Sequence, residues 1–283
     1  MDAQLAGDSY GKSAIRLLKV VRDDARHAVH DLTVDIRFEG DFAAAHLKGE
    51  NDAVLPTDTM KNTVYALSRQ HDVDPPERFA ARVAAELLNA AHSASRVTAE
   101  IGTHVWERIV VAGRPHDSAF EHGGAERRIA SVVCVRGGEP TIEAGVRDLL
   151  LLRTAGSAFS GFLRDRHTTL KDTRDRVFST AVSARWRYGT GEVDFNAAFA
   201  AVREALLGTF ATHPSESVQH TLFAMGEAAL NARRELADIH LSLPNRHHLL
   251  ADLTPFDLDN PNMIFIPTTE PFGLIEATLH RGT

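Results

Sequence analysis

The sequence is poor in cysteine and has no long apolar run. Its one cysteine, Cys134, leaves no partner for an internal disulfide and suits a reducing compartment. No apolar run reaches the roughly 18 residues that a membrane-spanning helix needs. The first residues lack the basic start and apolar core of a secretory signal, and the last residues are not a Ser-Lys-Leu peroxisomal signal. We therefore expect a cytoplasmic protein with no membrane partner.

General motifs for cofactors, phosphates and metals are also missing. The chain has no Gly-x-Gly-x-x-Gly, phosphate-binding loop, His-Glu-x-x-His or Cys-x-x-Cys. Two close histidine pairs occur, His27 with His30 and His247 with His248. On a strand the members of each pair point to opposite faces, so neither pair is a ready chelate. Histidines that bind no metal are favoured by these spacings, and no metal site is predicted.

Charge and length exclude some partners and set the number of domains. The formal net charge of −7 comes from 31 Lys and Arg against 38 Asp and Glu. Because the basic residues are scattered, nucleic acid is not expected as a partner. A chain of 283 residues is long enough for one large or two medium domains with a substantial core.

The first half of the chain contains four strand patterns. Residues 13–23 and 29–38 alternate or run apolar and predict a β-hairpin, with charged turn residues from Asp23 to Arg26. Two further strands are predicted at residues 97–111 and 129–135. The loop predicted between them carries Pro115, Gly123 and Gly124.

Four helices are predicted from start signals and apolar stripes. One begins near Pro56, Thr57 and Asp58, and a second begins at Pro75 and Pro76. In the second half, residues 196–210 predict a helix, and Pro214 with Ser215 start another.

The strand patterns of the second half follow the same plan as those of the first. They lie at residues 140–152, 179–188, 239–243, 247–253, 263–266 and 274–279. Each half is thus predicted as strand–strand–helix–helix–strand–strand. Antiparallel sheets with helices on one face, an α+β fold, are the natural result.

The segment from residue 150 to residue 176 fits no regular helix or strand. After an apolar start it contains glycines and serines around Phe159 and Phe162, followed by a basic, hydroxyl-rich tail that ends at Arg176. Long loops of this kind are functional or disordered, and the aromatic residues argue against disorder. We predict a binding loop.

Four short stretches occur in a characteristic order. They are Tyr10-Gly11-Lys12, Thr57-Asp58-Thr59-x-Lys61-Asn62-Thr63, Phe159-x-Gly161-Phe162-x-Arg164-Asp165-x-x-Thr168-Thr169-Leu170, and Ser242-Leu243-Pro244-Asn245-Arg246-His247. A Val218-Gln219 pair lies between the last two. In order and separation this set resembles the urate oxidase (uricase) family, and the resemblance runs from Tyr10 to about Arg281.

The resemblance implies an assembly and a reaction. It implies two tandem tunnelling-fold (T-fold) domains, residues 10–137 and 138–281, and a homotetramer around a hollow β-barrel. The implied reaction is the oxidation of urate by dioxygen and water to 5-hydroxyisourate and hydrogen peroxide, with no cofactor and no metal.

The resemblance also assigns a substrate site, and the chemistry of the residues agrees with it. The planar guanidinium of Arg176 can bind a urate carbonyl and ring nitrogen together, and the Gln219 amide both donates and accepts hydrogen bonds. The Val218 N–H lies at a helix N-terminus, which favours an anion, and Phe159 can stack under the purine. Asp58 is also assigned to the substrate site.

A proton relay is implied by the same resemblance. It consists of Lys12, Thr57 and His247, with Asn245 and Thr57 at an oxygen or water site. A lysine acts as a base only if burial or neighbouring charge lowers its pKa. The family supplies the Lys–Thr part from a neighbouring subunit, so each site is expected to form across an interface.

Each assigned residue also has an ordinary structural explanation. Arg176 and Lys12 fit exposed surface residues, Phe159 fits a core residue, Gln219 and Asn245 fit solvated turns, and His247 fits a strand. Thr57 fits a helix cap, and we expect it to serve both as cap and in the relay. Three positions depart from the family pattern, namely Arg153 for Lys, His167 for Tyr or Phe, and Arg246 for Lys.

Two other functions compete with urate oxidation. One is another purine- or pterin-converting enzyme of the same fold, although such enzymes typically hold the heterocycle with a carboxylate and several need zinc. The other is a purine-binding or structural oligomer that keeps the fold without turnover, and binding alone would not need Lys12, Thr57 and His247.

Overall fold

The computed structural model describes residues 3–23, 26–189 and 192–282. The chain forms two compact units, Met1–Gly145 and Val146–Thr283. The predicted tunnelling-fold domains, residues 10–137 and 138–281, are repeats implied by the family resemblance rather than compact units, so that division stays a prediction.

The first unit contains four antiparallel strands in the order of the chain. They are β1 (Tyr10–Arg22), β2 (His27–Gly40), β3 (Ala94–Val111) and β4 (Arg114–Val135). The predicted β1–β2 hairpin is confirmed, although residues 24 and 25 of its turn lie outside the described residues.

The predicted loop between the last two strands of this unit is wrong. Pro115 pairs with Val110 inside β4, and the pairing moves from His104–Arg127 to Trp106–His122. Residues 123–126 therefore form a bulge within the strand. Gly123 and Gly124 lie in this bulge. A glycine-containing bulge looks like a loop in the sequence because glycine favours irregular backbone in both.

Three helices belong to the first unit. They are α1 (Ala43–Lys48), α2 (Thr57–Gln70) and α3 (Pro76–Ala90). The short α1 was not predicted. Helix α2 buries Met60 and Val64, and α3 buries Phe79 and Val83, in one core with the inner face of the sheet. The predicted apolar stripes therefore face the sheet, as amphipathic helices require.

The second unit contains strands, two long helices and a small hairpin. Its main strands lie in the order β5 (Thr141–Arg153), which begins before the unit boundary, β6 (Phe178–Tyr188), β7 (Leu236–Arg246) and β10 (Gly273–His280). Its other elements are α4 (Phe195–Thr212), α5 (Val218–Ala232) and the hairpin of β8 (His248–Leu250) and β9 (Phe265–Pro267).

Helix α5 begins later than predicted. The hydroxyl of Ser217 accepts a hydrogen bond from the His220 N–H at 3.1 Å and so caps the helix. The backbone of Ser215 is bonded instead to Gly156 and Ala158. Because those long-range bonds hold Ser215 in a bridge, the helix starts at Val218, and the predicted start at Pro214 and Ser215 is wrong.

The C-terminal ends of α3, α4 and α5 are each hydrogen-bonded by an arginine from elsewhere in the chain. None has a basic residue in its last turn. Each end is instead bonded by an arginine distant in sequence. Arg136 donates to the Leu88 carbonyl at 2.8 Å, Arg153 to the Phe210 carbonyl at 3.0 Å, and Arg281 to the Arg233 carbonyl at 2.8 Å. A cation at this position satisfies free carbonyls and opposes the helix dipole.

The α+β prediction is confirmed. Both units contain antiparallel strands, and their long helices contact those strands, α3 against β3 and β4 and α5 against β7 and β10. Within the described ranges, no helix has the length and apolar character that a membrane crossing requires.

Candidate active site

Four of the predicted site residues line one cavity in the second unit. The cavity has a volume of about 460 Å³, and Phe159, Arg176, Asn245 and His247 all contribute to its wall. Two come from the predicted binding loop and two from the end of β7 and the residue after it. Its volume is in the range typical of small-molecule sites.

Backbone hydrogen bonds, rather than a helix or strand, hold the loop beside the cavity. The Phe159 N–H donates to the Thr173 carbonyl at 2.7 Å, and the Thr173 N–H donates back at 3.0 Å. The Arg176 N–H donates to the Ser157 carbonyl at 2.9 Å. The loop prediction is confirmed beyond Arg153, because only turns and isolated bridges occur there, whereas residues 150–153 belong to β5.

The side chains of Phe159 and Arg176 form an aromatic and cationic surface. The Phe159 ring stacks on the Phe162 ring with 5.0 Å between centroids and 10° between planes. The Arg176 guanidinium carbon lies 5.5 Å from the centroid of the Phe159 ring. A flat ring beside a planar cation is suited to a flat, electron-rich heterocycle.

Arg176 carries an unused donor. Its Nε is buried and has no hydrogen-bond partner among the described residues. Burial lowers the pKa of Arg176 below its ordinary value, although a guanidinium stays charged in proteins. A buried donor without a partner is costly, and a ligand in the adjoining cavity that accepted this hydrogen bond would remove the cost.

Asn245 and His247 approach the cavity from β7. Asn245 pairs with Thr180 on β6 and with Gly273 on β10, so strands on both sides fix its backbone. The His247 carbonyl accepts a hydrogen bond from the Thr268 N–H at 2.8 Å. This backbone pairing leaves the amide and imidazole side chains at the cavity wall.

Val218 and Gln219 are not among the described residues that line this cavity. They form the first turn of α5, with Val218 buried and Gln219 exposed. The preceding segment is joined to the loop, because the Ala158 N–H donates to the Ser215 carbonyl at 2.6 Å. Ser215 is thus bonded to the loop, and α5 begins three residues later at Val218, so the first turn of α5 is tied to the loop through this short segment.

Lys12, Thr57 and Asp58 lie in the first unit, where Tyr10 brings their elements together. The Tyr10 hydroxyl donates to the Leu55 carbonyl at 3.2 Å and accepts from the Leu55 N–H at 3.0 Å. Leu55 is two residues before Thr57, and Tyr10 is two residues before Lys12. The tyrosine of Tyr-Gly-Lys thus fastens the start of β1 to the start of α2.

Asp58 is an anion held among cations. A hydrogen bond from Lys61, with the charges of Lys61 and Lys12, lowers the pKa of Asp58 below its ordinary value. The charge of Lys12 thus acts on Asp58 of the same chain, as the weakest of the causes that shift this pKa.

The prediction that Thr57 caps α2 is wrong. Pro56 occupies the cap position and makes no side-chain capping hydrogen bond, and Thr57 is the first helical residue. Because a cap must precede the first turn, the Thr57 hydroxyl is one residue too late for that role.

Sequence reasoning missed two supports of the loop. The carboxylate of Asp175 accepts from the Gly156 N–H at 2.7 Å, and Arg153 bonds the Gly156 carbonyl at 2.6 Å. The sequence singles out Arg153 only as a departure from the family pattern. A carboxylate directly before Arg176 was the available signal for Asp175. Among the described residues, no group of three or more metal-ligating side chains could hold an ion.

Comparison with known proteins gives a family. A family model described as Uricase matches residues 8–133 and 142–276. The uricase of Arthrobacter globiformis is 44% identical over 277 residues, which cover 98% of this chain and 90% of that protein. The uricase of Aspergillus flavus is 34% identical over 289 residues, which cover 97% of this chain and 96% of that protein.

Solved structures agree with the sequence comparison. The crystal structure of uricase from Arthrobacter globiformis matches with a TM-score of 0.93 at 43% identity, over 99% of this chain and 96% of that one. The crystal structure of a uricase from Bacillus fastidious shares the fold, with a TM-score of 0.84 at 20% identity over 96% of this chain and 93% of that one. The chain therefore belongs to the uricase family of urate-oxidising enzymes.

Proposed function

We propose that the chain oxidises urate with dioxygen and water to 5-hydroxyisourate and hydrogen peroxide, without a cofactor. Urate loses two electrons, dioxygen gains them and two protons to form peroxide, and the hydroxyl of water forms the new ring C–O bond. The observation that carries the proposal is the buried Arg176 Nε, which has no hydrogen-bond partner among the described residues and lies beside the Phe159 ring, in a cavity that Asn245 and His247 also line.

We define the substrate seat as Phe159, Arg176, Val218 and Gln219. Phe159 stacks under the purine, and Arg176 donates two parallel hydrogen bonds to a carbonyl and a ring nitrogen. The Val218 N–H and the Gln219 amide bind the opposite edge of the ring. Since α5 begins at Val218, that N–H is free of intrahelical bonds and lies at the positive end of the helix.

The proton relay consists of Lys12, Thr57 and His247. Thr57 passes a substrate proton to Lys12, and His247 orients or extends the relay. Removal of the proton makes urate electron-rich enough to reduce dioxygen directly, which positioning and a matched base favour. Asn245 and Thr57 hold dioxygen or water above the ring, and Asp58 assists at the substrate.

The complete site forms between subunits in this proposal. Lys12, Thr57 and Asp58 of one subunit meet the substrate seat of its neighbour in a homotetramer of tandem tunnelling-fold domains, residues 10–137 and 138–281. Exposed apolar side chains of the second unit support an assembly, because such surface is commonly covered by a partner. They include Leu249, Ile264, Ile266, Phe272 and Leu274.

An assay of urate with a chelator present tests the reaction. We expect loss of the ultraviolet absorbance of urate with equimolar uptake of oxygen and release of peroxide, unchanged by the chelator. Binding of urate without turnover would support a purine-binding protein. Chelator-sensitive conversion of a different heterocycle would support another enzyme of the same fold.

Mixing two impaired variants tests the shared site. At urate concentrations below the wild-type KM, K12M and R176M are each expected to keep about 1% of wild-type activity or less when expressed alone. If Lys12 serves the substrate seat of another subunit, co-expressed variants regain roughly a quarter of the wild-type activity, because one pairing in four joins two intact halves. No recovery from verified mixed oligomers would show that Lys12 and Arg176 act within one chain.

A further inference from the structure

We propose that Arg153 is a positioning residue that holds the two sides of the substrate seat together. The inference rests on the proposed urate oxidation. It assigns a role to a residue that does not line the cavity and that the proposed reaction does not use directly.

The Arg153 guanidinium joins three backbone carbonyls from two separate segments. Its Nη1 donates to the Phe210 carbonyl at 3.0 Å and to the His213 carbonyl at 2.7 Å, at the end of α4. Its Nη2 donates to the Gly156 carbonyl at 2.6 Å, at the start of the binding loop. One side chain therefore connects the loop with the segment that leads from α4 into α5.

The two connected segments also pair with each other. The Ser215 N–H donates to the Gly156 carbonyl at 3.2 Å, and the Ala158 N–H donates to the Ser215 carbonyl at 2.6 Å. Gly156 thus accepts from both Arg153 and Ser215. Ser157 and Ser215 form a parallel β-bridge between these segments. Arg153 bonds both segments beside this bridge and so closes the bridge at that end.

Both sides of the substrate seat extend from this bridge. On one side, Phe159 follows Ala158 directly, and the Arg176 N–H is bonded to Ser157 within the bridge. On the other side, Val218 begins α5 three residues after Ser215. The separation between the stacking ring and the first turn of α5 is therefore set by the bridge that Arg153 closes.

Arg153 makes these bonds through both of its Nη atoms, which the lysine of the family pattern could not reproduce. Two Nη atoms at fixed separation point in different directions, one to the end of α4 and one to the loop. A lysine ammonium is a single point from which the two segments cannot be held in the same way. The Arg153 side chain is half-buried, and within the described part of the chain its Nε has no partner, so its hydrogen bonds go to these three carbonyls.

Variants of Arg153 separate positioning from stability. We expect R153M to raise the KM for urate, and its dissociation constant without oxygen, by about tenfold, because Phe159 and the first turn of α5 would no longer be held at one separation; tenfold is about 1.4 kcal/mol of binding free energy. The kcat should fall less, and its pH profile should keep its shape, because the relay residues are unchanged. R153K should recover part of the loss in KM.

Arg281→Met is the matched control. Arg281 bonds the end of α5 farthest from Val218, with donors to the Leu236 and Arg233 carbonyls at 3.3 and 2.8 Å. R281M should lower the melting temperature as R153M does, with KM unchanged. Equal KM values for R153M, R281M and wild type would overturn the proposal and leave Arg153 as a helix cap. If R153M does not fold, the KM of R153K is compared with those of R281M and wild type in the same way. A wild-type protein that does not oxidise urate would instead refute the proposed function.

Discussion

Replacement of Arg176 by methionine should weaken substrate binding and stabilise the fold at the same time. The guanidinium is half-buried beside the cavity, and its Nε has no hydrogen-bond partner among the described residues. A buried donor without a partner costs about 1–3 kcal/mol. Methionine keeps the apolar length of the side chain and removes the donors, so the free energy of unfolding should rise by about 1 kcal/mol.

The cost of this replacement appears when urate binds. A hydrogen bond from a charged donor contributes about 1.5–3 kcal/mol, and Arg176 is proposed to make two in parallel. Even with incomplete additivity, R176M should weaken urate binding by about 100-fold or more, since 1.4 kcal/mol is about tenfold. R176K keeps the charge without the planar fork and should lose about tenfold.

Two measurements on the same samples check this prediction. Calorimetric titration with urate under anaerobic conditions gives the affinity, and thermal unfolding gives the stability. The expected rise in melting temperature for R176M is about 2–4 °C, from about 1 kcal/mol in a unit of this size. A variant that binds urate within about threefold of wild type and unfolds more easily would refute the reasoning, because Arg176 would then be a structural residue that needs no ligand.

Three further predictions follow from contacts in the first unit. K12M and T57A should each lower kcat by about 100-fold with little change in urate affinity, as expected for loss of a general base; near-normal rates in both would remove the relay. Glu77 is fully buried against Arg128, and burial raises its pKa. The folded state therefore binds this proton more tightly than the unfolded state, so stability falls as pH rises above the ordinary glutamate pKa. In R128L, the free energy of unfolding measured with urea should fall more steeply between pH 5 and pH 8 than in wild type. Adding E77Q to R128L should remove this extra pH dependence. A Cβ at Gly11 would lie 1.8 Å from a backbone oxygen of β2, so G11A should lower the free energy of unfolding by about 1–3 kcal/mol; unchanged urea unfolding would contradict that contact.

Local patterns predicted most of the elements because their signals are local. The stripe of Phe79 and Val83 marks α3, and Pro76 marks its first residue, which only a helix start tolerates well. The errors occurred where distant residues decide the outcome. Ser215 is a sound helix start by type, yet its backbone is bonded to the loop, so α5 begins at Val218.

The candidate site was predictable by residue type and order. Arg176, Phe159, Asn245 and His247 stand in stretches whose order resembles one family, and all four line one cavity. Their surroundings were not predictable in this way. The position of Asp175 beside Arg176 marks it as a residue of interest, but neither Asp175 nor Arg153 shows in the sequence which group it bonds, because those partners are backbone groups that every residue possesses.

The sequence by itself determined the class of fold, the apolar faces of the helices and the family. These depend on periodicity and on the order of short motifs, which a linear chain records directly. Tertiary structure alone decided that the Arg176 Nε is buried with no hydrogen-bond partner in the described ranges, and that β4 continues through Gly123 and Gly124. It also decided that one guanidinium, Arg153, joins the loop to the end of α4. The physical reason is that burial and long-range hydrogen bonds depend on which distant segments meet, and no local pattern specifies that.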